Sequence, residues 1–245
     1  MTNGRFIGPC LVFVAAIAWS VGAYPAEKMK VVVVTGGHGF EEKPFKTMFG
    51  SYRDLDCAFV ALADESEIFE DISKWPYKVI VLYNMTRAIS EKRQRNFVAL
   101  LDRGIGLVVL HHAIAAFPDW PEYRKIIGAR YFLEDTEENG VKYPRSQWKE
   151  GVDMALRVED PSHPILAGIR DFVLHDETYK GYHLEPDNRL LLSCDNPGSQ
   201  KEVAWTRTYR NAKVCFIQPG HGREAYANEF YRRMVLQAIR WSAAK

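Results

Sequence analysis

The stretch Gly106–Trp120, GLVVLHHAIAAFPDW, decides how this chain is read. GLVVL is apolar at every position, which suits a strand covered on both faces in a parallel sheet. Two histidines follow at once, and AIAAF then begins a short helix-like run. A strand that stops and turns directly into a helix is where α/β enzymes often place a nucleophile. Here the corner holds His111 and His112, side chains that titrate near neutrality.

The flanks repeat the pattern. KMKVVVVTGGHGF (28–40) opens as a β-branched buried strand and ends in a glycine-rich turn. Glu41–Tyr52 reads as a helix with Phe45, Met48 and Phe49 on one side. Cys57–Ala63 and Lys78–Tyr83 read as strands. Ser90 caps a helix whose apolar face is Phe97, Val98, Leu100 and Leu101, with Gly104 at its end. Later, Arg189–Cys194, Glu202–Thr208 and Lys213–Gln218 read as strands, the last two joined by a turn at Tyr209-Arg210-Asn211. Phe230, Met234, Ala238 and Trp241 mark a closing helix. The middle third, Asp119–Asp187, is rich in proline and reads as long loops and short strands. Strands alternating with helices predict an α/β fold, a doubly wound and mostly parallel sheet with helices on both faces, in a single domain.

Ligands in such sheets bind beyond the carboxyl ends of the strands. Five of the seven histidines fall in four segments placed there: His38 after the first strand, His111 and His112 after the fourth, His221 after the last, and His175 in HDETYK of the middle third. Glu177 and Glu224 stand among them. The grouping points to acid–base chemistry through His111, His112, His221 and Glu177. It equally suits a divalent metal such as zinc on His38, His112, Glu177 and His221. Gly37, His38, His175, Lys180 and Arg223 are candidate substrate contacts, and Trp120 and Tyr179 either stack on a sugar ring or pack the loops. GGHG is not a complete dinucleotide fingerprint and lacks a well-placed downstream acid, so no nucleotide is expected.

Composition narrows the partners. The 245 residues carry 32 Lys and Arg against 31 Asp and Glu, a net charge of +1, with no basic stripe, so nucleic acid is not expected. Residues 6–23 are nearly all apolar, and small residues follow. This predicts a secretory signal peptide over 1–26, rather than an anchor, with a mature domain over 27–245. The expected location is therefore secreted or periplasmic, with no stable membrane insertion after cleavage. Past the leader, Cys57, Cys194 and Cys215 are odd in number and sit in apolar runs, which predicts buried free thiols.

Four blocks in order, VVVVTGGHGFEEKPF, VVLHHAIAAFPDWPEY, HPILAGIRDF with HDETYK, and QPGHGREAYANEF, resemble the ThuA-like family, named for trehalose utilisation. The resemblance runs from about Lys28 to the end. It implies a flavodoxin-like fold similar to the class I glutamine amidotransferases, in which a nucleophilic cysteine occupies the strand–helix corner and a histidine and a glutamate follow the last strand. This chain has His111 and His112 at the corner, and His221 and Glu224 near the other position. Glutamine hydrolysis through a thioester is therefore not expected. The family association implies a small sugar or glycoside as partner, including 3-keto sugars, and leaves open a lyase or hydrolase, a metal-dependent hydrolase of another substrate, or a sugar-binding protein without turnover.

Overall fold

The computed structural model describes residues 1, 2, 4, 27–62, 66–138 and 140–244. The predicted leader falls almost wholly outside the described residues. No helix among them is long and apolar enough to cross a membrane.

Nine strands form one sheet: β1 (Met29–Gly36), β2 (Leu55–Ala61), β3 (Val79–Asn84), β4 (Gly106–Leu110), β5 (Gln147–Val158), β6 (Phe172–Lys180), β7 (Arg189–Cys194), β8 (Glu202–Tyr209) and β9 (Ala212–Ile217). The order is β2-β1-β3-β4-β9-β8-β7-β5-β6. The first five are parallel neighbours, in the flavodoxin-like order. The other four continue the sheet antiparallel.

Burial explains the layering. In β1, Val31 and Val33 face one core cluster, and Val32 and Val34 the other. Successive strand residues point to opposite faces, so a strand apolar at every position is buried on both sides. Helices α1 (Glu42–Gly50), α4 (Arg223–Ala227) and α5 (Glu229–Ala243) cover the first face. Helices α2 (Glu91–Asp102) and α3 (Pro121–Ile127) cover the second. Ser90 Oγ accepts from the Arg93 amide at the start of α2, and Asn228 Oδ1 accepts from the Phe230 and Tyr231 amides at the start of α5.

The middle third differs from the sequence expectation. It contains β5, of 12 residues, and β6, of 9 residues, the longest strand pair in the sheet. HDETYK lies inside β6 and not in a loop. Prolines bracket these strands but do not enter them, and Val152, Met154 and Leu156 keep the period of two. The β5–β6 ladder shifts register between Lys149 and Val152, and β7–β8 shifts twice, at Leu190–Leu192 and Leu192–Ser193. Bulges bend and twist a sheet. The extension curls so far that its outer strand β6 meets the carboxyl ends of β4 and β9, where Gln218 Nε2 donates to the Glu177 carbonyl.

His163 supplies a pH test of the fold. Its buried Nδ1 accepts from the Ile165 amide, so that nitrogen must be unprotonated. Burial, followed by the charge of Arg189, holds its pKa below the ordinary histidine value. Below about pH 6.5 the unfolded chain binds a proton there that the folded chain resists, so stability falls as pH falls through that value. Thermal melts between pH 7.5 and 5.5 should show a shallower acid-side loss in His163→Asn. An unchanged slope would contradict this.

Candidate active site at the strand ends

β4 ends at Leu110, and the backbone turns sharply. His111 has φ +49°, in the left-handed region, and the chain continues as a single 3₁₀ turn, His111–Ala115. A bulky side chain in that region is held there only when its surroundings fix it. Here they do. The His111 ring is fully buried, and its Nδ1–H donates to the Gln218 carbonyl at 2.7 Å. A carbonyl can only accept, so the tautomer at Nδ1 follows.

That bond turns His111 Nε2 towards three groups. Tyr179 Oη lies 2.8 Å away, His221 Nδ1 3.1 Å and Glu177 Oε1 3.2 Å. His221 Nδ1 and Glu177 Oε1 are 3.8 Å apart. Tyr179 also stacks on the His111 ring, with centroids 4.8 Å apart. Burial pushes the Glu177 carboxyl up, but the hydrogen bond and charge of His111 win, and it sits below the ordinary carboxylate value. The Tyr179 phenol is pushed well above its usual range by burial and then by Glu177. The cluster is thus a carboxylate facing two imidazoles, with room for a proton or a cation among them.

His221 is fixed through its own backbone. The buried Asp176 carboxylate accepts from the Gly220 amide at 2.5 Å and the His221 amide at 3.0 Å. Tyr83 Oη donates to the Gly220 carbonyl and Tyr226 Oη to the His221 carbonyl, each at 2.8 Å. Gly220 has φ +129°, and a Cβ there would collide with the Tyr231 hydroxyl. The ring itself remains partly exposed, and its Nε2 makes no hydrogen bond among the described residues.

His112 occupies a different environment. Its Nε2–H donates to the Tyr83 carbonyl at 3.2 Å, and its ring lies 4.6 Å from that of His38, stacked upon it. Burial and the neighbouring His111 hold its pKa well below the usual histidine value, so the ring is neutral. Its Nδ1 is buried and has no hydrogen-bond partner.

These groups edge a cavity of about 380 Å³, within the range of small-molecule sites. His38, His112, Glu177, Tyr179 and His221 line it, while His111 lies behind the wall. The remaining candidates lie elsewhere. Gly37, at φ +72°, borders a neighbouring pocket, where a Cβ would come within 2.6 Å of the Met85 carbonyl carbon. Its role is a tight turn. Trp120 is buried against Phe97, Phe117 and Tyr123, so it packs the core. His175 shares the strand face of Glu177, but one pleat, roughly 7 Å, further from the cavity. It is exposed and bonds to Asp153 at 2.7 Å. Lys180 is exposed and donates to the Pro197 carbonyl. Arg223 pairs with Glu41 on the outside. Arg145, Trp148 and Glu150 also line the cavity. They were not legible because Trp148 and Glu150 stand in β5 and Arg145 just before it, in a region that reads from sequence as loop.

The metal-ligand set also differs from the expectation. His111, Glu177 and His221 offer ligand atoms that all lie within 4.8 Å of one another. His111 already donates its far nitrogen to a carbonyl, as metal-bound histidines do. His112 Nε2 is turned away to Tyr83, and His38 Nδ1 lies 2.7 Å from the Gly39 carbonyl. Titrated zinc should therefore raise the melting temperature of the native chain and of His38→Ala, and fail to do so in His111→Ala and His221→Ala. Equal loss in His38→Ala would restore the set that includes it.

The cysteines confirm what the corner lacks. Cys194 and Cys215 are buried and Cys57 partly so, all three unpaired, and burial pushes the Cys215 thiol far up. None stands at the corner.

No curated protein sequence matches. In structure the chain is similar to a ThuA-like protein from Parabacteroides merdae, with TM-score 0.75, 19% identity, and 89% of this chain and 91% of that chain covered. A ThuA-like protein from Bacteroides uniformis gives TM-score 0.62 at 19% identity, with 89% and 93% covered. PurLQS from Thermotoga maritima gives 0.56 at 13%, with 87% and 99% covered, in keeping with a glutamine amidotransferase-like fold. The family model described as ThuA, trehalose utilisation, matches residues 30–242. The chain belongs to the ThuA family.

Proposed function

We propose that this protein acts on a glycoside, in the form of a 3-keto sugar, by histidine and carboxylate acid–base chemistry at the His111–Glu177–His221 cluster. The observation that carries the reading is the free His221 Nε2 at the cavity, with its other nitrogen set against His111 and Glu177. A base oriented from behind in this way is a familiar solution to proton transfer.

The chemistry balances without a redox partner. A keto group acidifies the neighbouring C–H. His221 Nε2 takes that proton, and the C–H electron pair passes into an enolate. The enolate expels the glycosidic oxygen, which accepts the same proton back from His221. The products are an unsaturated keto sugar and a free alcohol. Charge on the enolate oxygen is met by the positive charge gained by the imidazole pair, with Glu177 holding that pair in place. Thioester chemistry has no place in this scheme, since His111 stands where the cysteine would be.

The convergence of three ligand atoms favours a second reading, a metal-dependent hydrolase. With Nδ1 of His221 engaged as a ligand, the base role would pass to His112, whose Nδ1 is free. A divalent ion held there would supply a Lewis acid for the substrate oxygen. In either case we take the apolar run at residues 6–23 as an export leader, with the reaction proposed to occur outside the cytoplasm.

Incubation of a 3-keto disaccharide with the mature protein, followed by NMR, should show release of the alcohol sugar. His221→Ala and Glu177→Gln should each slow it by about 100-fold or more. Undiminished turnover in the His112→Ala/His221→Ala double variant would overturn the proposal. Saturable binding with no product from the native chain would make it a sugar-binding protein.

A further inference from the structure

Tryptophan is rarely left in water without cause, because its ring is the largest apolar surface a side chain offers. Trp148 is 57% exposed. Among the described residues it stacks on no other aromatic ring, and its indole N–H makes no hydrogen bond. It stands directly opposite Tyr179 in the β5–β6 ladder, so the two side chains share a face. Both line the same cavity. Tyr179 touches the histidine cluster at the inner end. Trp148 is the solvent-exposed aromatic at the outer end.

The surroundings of Trp148 say what kind of surface it serves. Arg145 and Glu150 border the same cavity, and neither side chain has a hydrogen bond or ion pair among the described residues. Gln147 and Lys149 on either side of it are exposed. An apolar protein partner would be met by a continuous apolar patch, which this is not. A pyranose ring has a different requirement. It presents an apolar C–H face and a rim of hydroxyls, so it fits one flat aromatic ring flanked by free donors and acceptors. The bulge between Lys149 and Val152, with Gly151 at φ +63°, takes Glu150 out of the regular ladder beside the cavity. Bulges commonly re-aim side chains next to active sites.

We infer that Trp148 is the platform of a second sugar subsite. The substrate class is then a glycoside with at least two rings, one held at the histidine–carboxylate cluster and the other lying on Trp148, with its hydroxyls met by Arg145 and Glu150. This rests on the glycoside reading above and narrows it. The sugar on Trp148 is the alcohol that leaves.

Binding tests this apart from chemistry. Isothermal titration of the mature protein with trehalose and with methyl α-glucoside, neither of which carries the keto group, compares two rings with one. The native chain should bind the disaccharide more tightly. Trp148→Ala should weaken disaccharide binding by about tenfold or more, a change of about 1.4 kcal/mol, and alter methyl glucoside binding less than twofold. Trp148→Phe should restore most of the loss, since a ring is what the platform requires. Equal weakening for both sugars, no weakening, or no binding of either by the native chain would overturn the subsite. Turnover of a 3-keto disaccharide with unchanged KM in Trp148→Ala would overturn it while leaving the proposed reaction intact. Ring-dependent binding without any turnover would do the reverse. Exposure of Trp148 makes loss of the fold in these variants unexpected, and coincident thermal melts check it.

Discussion

The hydrogen bond from His111 Nδ1 to the Gln218 carbonyl holds the active corner together. It joins the residue after β4 to the residue after β9, two parallel neighbours at the centre of the sheet. It fixes a histidine in a backbone conformation that costs of order 1–3 kcal/mol. It also settles which nitrogen faces the cavity side. Once Nδ1 is spent on the carbonyl, Nε2 must face Tyr179, Glu177 and His221. Gln218 then works in the other direction as well, because its side chain accepts from Thr178 and donates to the Glu177 carbonyl. One residue therefore clamps the parallel core to the antiparallel extension.

That clamp explains how an amidotransferase-like scaffold can host other chemistry. Fold alone does not specify reaction. The strained corner persists, but it presents an imidazole that is fully buried and cannot itself touch substrate. The cavity surface that the proposed reaction would use lies further out, at His221, Glu177 and His112. The extension β5–β6 contributes Glu177 and Tyr179 on one strand and Trp148 and Glu150 on the other, so one wall of the cavity comes from strands outside the parallel core.

Much of this was readable in the sequence. The apolar runs of β1, β3 and β4 gave their positions within about two residues, because strands buried on both faces leave an unmistakable pattern. His38, His112, Glu177, Tyr179 and His221 were picked out because polar residues beyond strand ends have few structural reasons to cluster, and the structure brings them to one cavity. The order of roles within His111-His112 was not readable. Adjacent residues on a corner are separated only by the backbone angle at His111, which no local pattern reports. β5 and β6 were missed for another reason. HDETYK is polar, yet it is largely buried, its groups satisfied by the Gly220–His221 amides, Ser199 and Gln218. Such pairing across 20 to 45 residues leaves no trace in a local window. The same distance hid Trp148, whose significance comes only from standing opposite Tyr179.

The central claim is that sugar reacts where His221, backed by His111 and Glu177, meets the cavity. The most direct measurement is a crystal structure of Glu177→Gln soaked with a 3-keto disaccharide. The account predicts a sugar ring in the cavity with the carbon next to its keto group within proton-transfer reach of His221 Nε2. A sugar bound elsewhere, or bound with that carbon turned away from both His221 and His112, would contradict it.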